Sequence, residues 1–271
     1  MDMIDLREAL IRKNREFDVV SFEIEEIKNF IINNYTFQIE GIYGDIGKEI
    51  FEFLDIKQIN NKFIVNTIHN KYISIFLNQS AKSISDNLFA WGDIHGHFAC
   101  PYNGNLTSLK GSPKICHDFS CANCVNLKTL EGSPEKCIDF DCGGCKKLES
   151  LEGAPTAIIG YFECNDCPNL KSLEGGPEKV GGSFICRNCT NLKSLEGAPE
   201  YVREDFDCSN CEKLKSLEGG PEKIGGNLYI PGCKNLKTLK GISKVKYIVI
   251  DDENNIDDYN GLEDKIIQNI D

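Results

Sequence analysis

Residues 184–199 read Phe-Ile-Cys-Arg-Asn-Cys-Thr-Asn-Leu-Lys-Ser-Leu-Glu-Gly-Ala-Pro, and the same phrase returns with small changes along most of the chain. The glycine after its Leu-Glu or Leu-Lys pair recurs at Gly111, Gly132, Gly153, Gly175, Gly197, Gly219 and Gly241, spaced by 21 or 22 residues. Two leucine columns keep that register: Leu106, Leu127, Leu148, Leu170, Leu192, Leu214, Leu236 and Leu109, Leu130, Leu151, Leu173, Leu195, Leu217, Leu239. A fixed period in this range is the signature of stacked coils. Within one unit, Phe184 and Cys186 share one face of an extended segment while Ile185 takes the other, the period of a strand. Leu192 and Leu195 follow a turn and fill the same interior. Gly197 and Pro199 bend the chain back along an extended outer edge, where proline forbids a helix. No coil buries its apolar side alone, so neighbours stack and their strands form one parallel sheet. Strand positions centred on Ala99, Ser120, Asp141, Glu163, Ile185, Asp207, Tyr229 and Val249 span about 34 Å at roughly 4.8 Å per coil. The fold class read from the repeat is a β-solenoid.

The Ser-Leu-Glu-Gly-x-Pro edge, the Phe-x-Cys strand and the glycine pairs Gly181-Gly182 and Gly225-Gly226 resemble the leucine-rich-repeat-like proteins encoded by phages and prophages. The resemblance covers about residues 91 to 250. It implies a right-handed leucine-rich-repeat-like stack and, from its phage or prophage setting, a small acidic binder that blocks a host nucleic-acid-handling or defence protein. The usual strand end of that family is Cys-x-x-Asn, whereas this chain writes Cys-x-x-Cys in most coils.

A solenoid exposes apolar ends and needs atypical caps. Residues 1–87 lack the repeat and are expected to form a small α+β N-terminal capping domain before a solenoid over 88–250. Ile24, Ile27, Phe30 and Ile31 fall at helical spacing after Ser21, and Ile46, Ile50, Phe53 and Leu54 after Asp45, predicting two short helices. Phe63-Ile64-Val65 and Tyr72-Ile73-Ser74-Ile75 flank the polar Ile68-His69-Asn70-Lys71, predicting a hairpin. Residues 251–271 form an acidic C-terminal cap, with a short helix expected near Leu262 to Ile270.

Lys plus Arg number 30 against 42 Asp plus Glu, a formal net charge of -12. That balance argues against a direct grip on nucleic acid or anionic lipid and favours a basic partner. No apolar run reaches the roughly 18 residues of a membrane span. The first residues mix acids and bases and lack the apolar stretch of a secretion signal, so the expected location is the cytoplasm. In a reducing compartment the 14 cysteines are expected to be thiols, metal ligands or small core residues rather than disulfides.

The pairs Cys121/Cys124, Cys142/Cys145, Cys164/Cys167, Cys186/Cys189 and Cys208/Cys211 have the spacing of structural zinc sites, and stacked pairs could offer four thiolates. A zinc-binding solenoid is therefore the alternative reading. The repeat nevertheless assigns each cysteine a structural seat. The first points inward beside Phe, and the second takes an Asn-or-Cys position beneath the turn, within reach of backbone groups. The two rows also vary separately: Ile230 replaces the first beside Cys233, and Asn103 replaces the second beside Cys100. Zinc ligands should be lost in sets. Cys116 and Cys137 stand where later coils have Val180, Val202 and Ile224, so cysteine serves here as a compact hydrophobe. The reading assigns no metal and no cofactor.

Gly92-Asp93-Ile94-His95-Gly96 matches the first metal-binding signature of calcineurin-like phosphoesterases, but the GDxxDRG and GNH elements that complete such a site are missing from the sequence. His69, His95, His97 and His117 join no nucleophile signature, and the run from Asp251 to Asp258 does not follow a calcium-loop pattern. No enzyme is expected. What remains is the strand face. Residues that alternate with the buried Phe and Cys look outward: Asp118, Asp139, Asp141, Tyr161, Glu163, Asp205, Asp207 and Tyr229, with Arg187 the basic exception. The Lys and Glu of each outer edge cancel, so this row concentrates negative potential on one concave face. It is the expected partner-binding surface of a non-enzymatic protein-interaction scaffold. The plainer reading is that the acids keep an open sheet from further pairing.

Overall fold

The computed structural model describes residues 16–39, 47–52, 54–59, 62–68, 72–84, 89–252 and 254–268. The repeat builds a β-solenoid of about nine parallel-stacked coils with a spacing near 22 residues. Its strands sit at His97–Ala99, Asp118–Ser120, Asp139–Asp141, Phe162–Glu163, Phe184–Ile185, Phe206–Asp207, Leu228–Tyr229 and Ile248–Ile250. They pair in parallel with Ala99, Ser120, Asp141, Glu163, Ile185, Asp207, Tyr229 and Val249 in one register row.

The interior consists of columns. Phe98, Phe119, Phe140, Phe162, Phe184 and Phe206 are buried and stack face to face, with ring centroids 5.2 to 6.0 Å apart and interplanar angles of 22° or less. Both leucine columns are buried. All fourteen cysteines are free and buried, and burial pushes the Cys142 and Cys167 thiols well above their ordinary range.

The Cys-x-x-Cys pattern follows from the turn that it encloses. The residue before the second cysteine adopts a left-handed conformation, as at Asn123, Asp166, Asn188 and Asn210 with φ between 55° and 59° and at Gly144 with φ 70°. Asn, Asp and Gly are the residues that tolerate it. The turn swings the second thiol beneath the preceding coil, where it donates to a main-chain carbonyl. Cys124 Sγ donates to Cys100 O (3.0 Å), Cys145 to Cys121 O (3.3 Å), Cys189 to Cys164 O (3.2 Å) and Cys211 to Cys186 O (3.3 Å). Asparagine closes the column at both ends. Asn103 Nδ2 donates to Asn78 O and Ala81 O, and Asn254 Nδ2 to Ile230 O and Cys233 O. At Gly197, φ is +86° and a Cβ would lie 2.4 Å from Glu174 Cα of the coil before, so the outer corner requires glycine.

Four expectations need correction. The coils carry a second parallel ladder as well as the long sheet: Ala157–Ile158, Lys179–Val180, Tyr201–Val202 and Lys223–Ile224, extended by bridges such as Cys137 to Ile158. The outer leg has main-chain groups to satisfy too, and stacking at the same period supplies their partners.

Ahead of the repeat, helix α1 (Glu16–Asn34) is followed by strands β1 (Tyr35–Ile39), β2 (Leu54–Ile59), β3 (Lys62–Thr67), β4 (Ile73–Leu77) and β5 (Phe89–Trp91). The expected second helix is a 3-10 turn at Gly47–Glu52, after which Leu54 opens β2; Asp45, Ile46 and Phe53 lie outside the described residues. So short a run starting at glycine lacks the length that α-helix propagation needs.

The expected hairpin is replaced by pairings with other strands, among them β3 in parallel with β5. β3 pairs antiparallel with β2, to which it is joined by two residues, while β4 pairs antiparallel with β1 and in parallel with His97–Ala99. A two-residue connection selects the local hairpin, and β4 instead extends the solenoid sheet. His69, Asn70 and Lys71 of the expected turn lie outside the described residues.

The expected C-terminal helix is a 3-10 turn, Glu263–Lys265, followed by the strand Ile266–Gln268, which pairs in parallel with Ile248–Ile250; residues 269–271 lie outside the described set. β-Branched Ile266 and Ile267 favour pairing on the open sheet edge. The result is an eleven-stranded sheet running from β1 to this edge strand. Trp91 joins the two regions: its Nε1 donates to Tyr35 Oη (3.0 Å), and both rings pack against Phe98 at the head of the phenyl stack.

Candidate functional site

Because Phe and Cys turn inward, residues on either side of each phenylalanine stand on the solvent face of the long sheet. The row preceding Phe begins with His97, Asp118 and Asp139, in direct register. The row following it runs Ala99, Ser120, Asp141, Glu163, Ile185, Asp207 and Tyr229. Small Ala99 and Ser120 leave space between the rows. The result is a groove of about 190 Å³ lined by His97, Ala99, Asp118, Ser120, Asp139, Asp141, Tyr161 and Glu163.

Its acids are held in place individually. His97 Nδ1 lies 2.8 Å from Asp118 Oδ2. Asp139 Oδ1 accepts from the Tyr161 amide (2.9 Å), and it can do so because Gly160 has no side chain: a Cβ there would sit 1.9 Å from that oxygen. Asp141 Oδ1 accepts from the Gly143 amide (2.9 Å) and its Oδ2 from Ser120 Oγ (3.3 Å). Burial raises the carboxyls of Asp139, Asp141 and Glu163 above their ordinary ranges, with the neighbouring Asp118 adding to the effect on Asp139 and Asp141 to that on Glu163. Among the described residues, none of these three makes an ion pair.

The other expected residues belong to a different environment. Asp207 has a side chain only 4% exposed; it receives Arg187 Nε at 2.7 Å and both the amide and hydroxyl of Ser209. Asp205 Oδ1 accepts from the Asn227 amide (2.7 Å), and Tyr229 Oη accepts from Asn227 Nδ2 (3.1 Å). The acid row is thus continuous in sequence pattern and divided in charge. Asp118 to Glu163 form one group, and at its far edge Arg187 pairs with Asp207 and partly offsets the charge of Glu163.

Two features were not read from the sequence. His95, His97 and His117 gather around the Tyr72 ring at centroid distances of 5.2 to 6.0 Å, with His95 and His117 4.8 Å apart. The register that places His117 beside the first coil was available; the position of Tyr72 was not. A corner of exposed aliphatic residues also stands beside the groove.

The phosphoesterase-like segment is taken apart by the fold. Asp93 lines a separate cleft of about 490 Å³ with Asp55, Lys57, Asn66 and Thr67, whereas His95 joins the Tyr72 cluster. Among the described residues, no group of three or more His, Cys, Asp or Glu side chains is placed to hold a metal ion, and no helix is long and apolar enough to cross a membrane. Protein-family models, curated proteins and solved structures give no match to this chain.

Proposed function

We propose that this chain is a non-enzymatic protein-interaction scaffold whose long sheet presents an acidic face to a basic partner. The observation that carries the reading is the trio Asp139, Asp141 and Glu163: half-buried carboxylates, raised by burial, with no ion-pair partner among the described residues. Keeping such charges unpaired costs stability, and a cationic partner would relieve that cost. A fixed row of carboxylates at coil spacing also steers a basic surface over about a Debye length.

In this reading the chain is a right-handed member of the leucine-rich-repeat-like proteins of phages and prophages, with residues 1–87 as its cap. The partner is a host nucleic-acid-handling or defence protein whose basic surface the acids occupy in place of phosphates. The test is a variant carrying Asp139→Asn, Asp141→Asn and Glu163→Gln. A partner isolated with the native chain, and displaced from it by duplex DNA, should bind the variant at least tenfold more weakly at 0.15 M salt. Undiminished binding would remove the acidic face from the function.

A further inference from the structure

The solvent face carries an apolar feature that a merely solubilising role for its acids does not call for. Ile159 is 72% exposed, the highest value of any large hydrophobic residue among those described, and Tyr161 is 44% exposed. Ile138 is half-buried and stands one coil earlier at the same corner, since Cys137 pairs with Ile158 and the Gly160 amide donates to Ile138 O (2.8 Å). This corner is where the chain passes from the second ladder into the long sheet. In the following coils the same corner is Gly181, Arg203 and Gly225, so the aliphatic ridge is confined to two coils. Those coils also contribute Asp139, Asp141, Tyr161 and Glu163 to the groove, and the acid group ends where Arg187 begins to neutralise.

We propose that an extended basic segment of a partner protein docks along coils 97–163 and places a bulky apolar side chain on the Ile138, Ile159 and Tyr161 ridge beside its cations. The inference rests on the acidic-face reading and deepens it by fixing where the partner binds and what it must carry besides charge. Charge complementarity identifies the cationic component: the carboxylates of Asp118, Asp139, Asp141 and Glu163 line the groove against the single imidazole of His97, and a long cationic side chain supplies donors to them. The exposed ridge identifies the apolar component, because a few well-packed, desolvated anchors carry most interface energy while charge sets register and encounter rate. Four coils span about 14 Å, the reach of roughly four extended residues. A groove of about 190 Å³ takes about one long side chain.

The test uses the full chain, isotopically labelled, and two capped pentapeptides of equal charge, one alternating arginine with leucine and one alternating arginine with glycine. The leucine peptide should bind about tenfold more tightly, a difference equivalent to one well-placed apolar contact, and shift amide resonances over 97–163 while leaving 205–229 in place. Ile159→Ser should remove most of that tenfold advantage without weakening the glycine peptide, since Ile159 lies outside the groove lining; an unchanged melting temperature shows that this variant is folded. Equal binding of the two peptides, or shifts spread evenly into 205–229, overturns the inference and leaves the acidic-face reading standing. Failure of both peptides to bind overturns both.

Discussion

The early and late coils share one interior and differ on their outer face. Phe119, Phe140, Phe184 and Phe206 stack at the same spacing whichever coil they belong to, and the thiol columns run through both halves. On the outside, Asp139, Asp141 and Glu163 make no ion pair among the described residues, whereas Asp207 is enclosed by Arg187 and Ser209. Interior positions are constrained by identical neighbours above and below, so each coil must repeat the one before it. Outward positions meet solvent and can diverge from coil to coil, which is where a binding surface can be written without disturbing the stack.

If the interior is uniform, truncating an early or a late ring of the phenyl column should cost the same. Phe140→Ala and Phe184→Ala, each removing a ring stacked on both sides, should each destabilise by about 3–5 kcal/mol in chemical denaturation. A large difference between them would break the equivalence of early and late coils. Arg187→Ala sharpens the contrast on the face. It leaves the buried Asp207 carboxylate without its cation, at a cost of about 1–3 kcal/mol, and should extend binding of a basic peptide into 205–229. Asn103→Ala tests the end of the thiol column. Losing the donor to Asn78 O and Ala81 O should also cost about 1–3 kcal/mol, whereas the exposed Lys128→Ala should change stability by less than about 0.5 kcal/mol.

The acid groove should respond with the opposite sign. Carboxyls raised on folding bind more protons in the native state than in the unfolded chain, so stability falls as pH rises from the unfolded to the folded value. The Asp139→Asn, Asp141→Asn, Glu163→Gln variant should therefore be more stable than the parent at pH 7, by up to about 1 kcal/mol after solvent screening. The gain should vanish on acidification below the ordinary carboxylate range. Thermal melts across pH 3 to 7 check this. The smallest expected effect is that of a chelator: dialysis against EDTA should leave the melting temperature of the native chain unchanged, whereas zinc-held thiolates would make it fall.

Legibility followed the repeat. The strand register could be read to the residue because each coil supplies a copy of the same constraint, and independent swaps at Ile230 and Asn103 showed which cysteine positions tolerate an apolar or an amide side chain. Outside the repeat, β3 and β4 each looked like half of one hairpin. β3 forms a local hairpin with β2 and pairs in parallel with β5, while β4 lies between β1 and the first coil; apart from the β2–β3 hairpin these pairings are long-range, and no local pattern encodes them. At the site, alternation identified every outward acid and could not tell the half-buried Asp139 from the enclosed Asp207.

The amino-acid sequence by itself determined the coil, its inward columns and the sign of charge on the long sheet, since periodic burial needs only the nearest neighbours along the chain and one coil on either side. Tertiary structure alone decided which of those charges remain uncompensated. Arg187 reaches Asp207 across the boundary between coils, twenty positions apart in the chain, and Gly160 opens room for Asp139 in the same way. Compensation depends on distance in space and on the water excluded there, and neither quantity is carried by the order of residues.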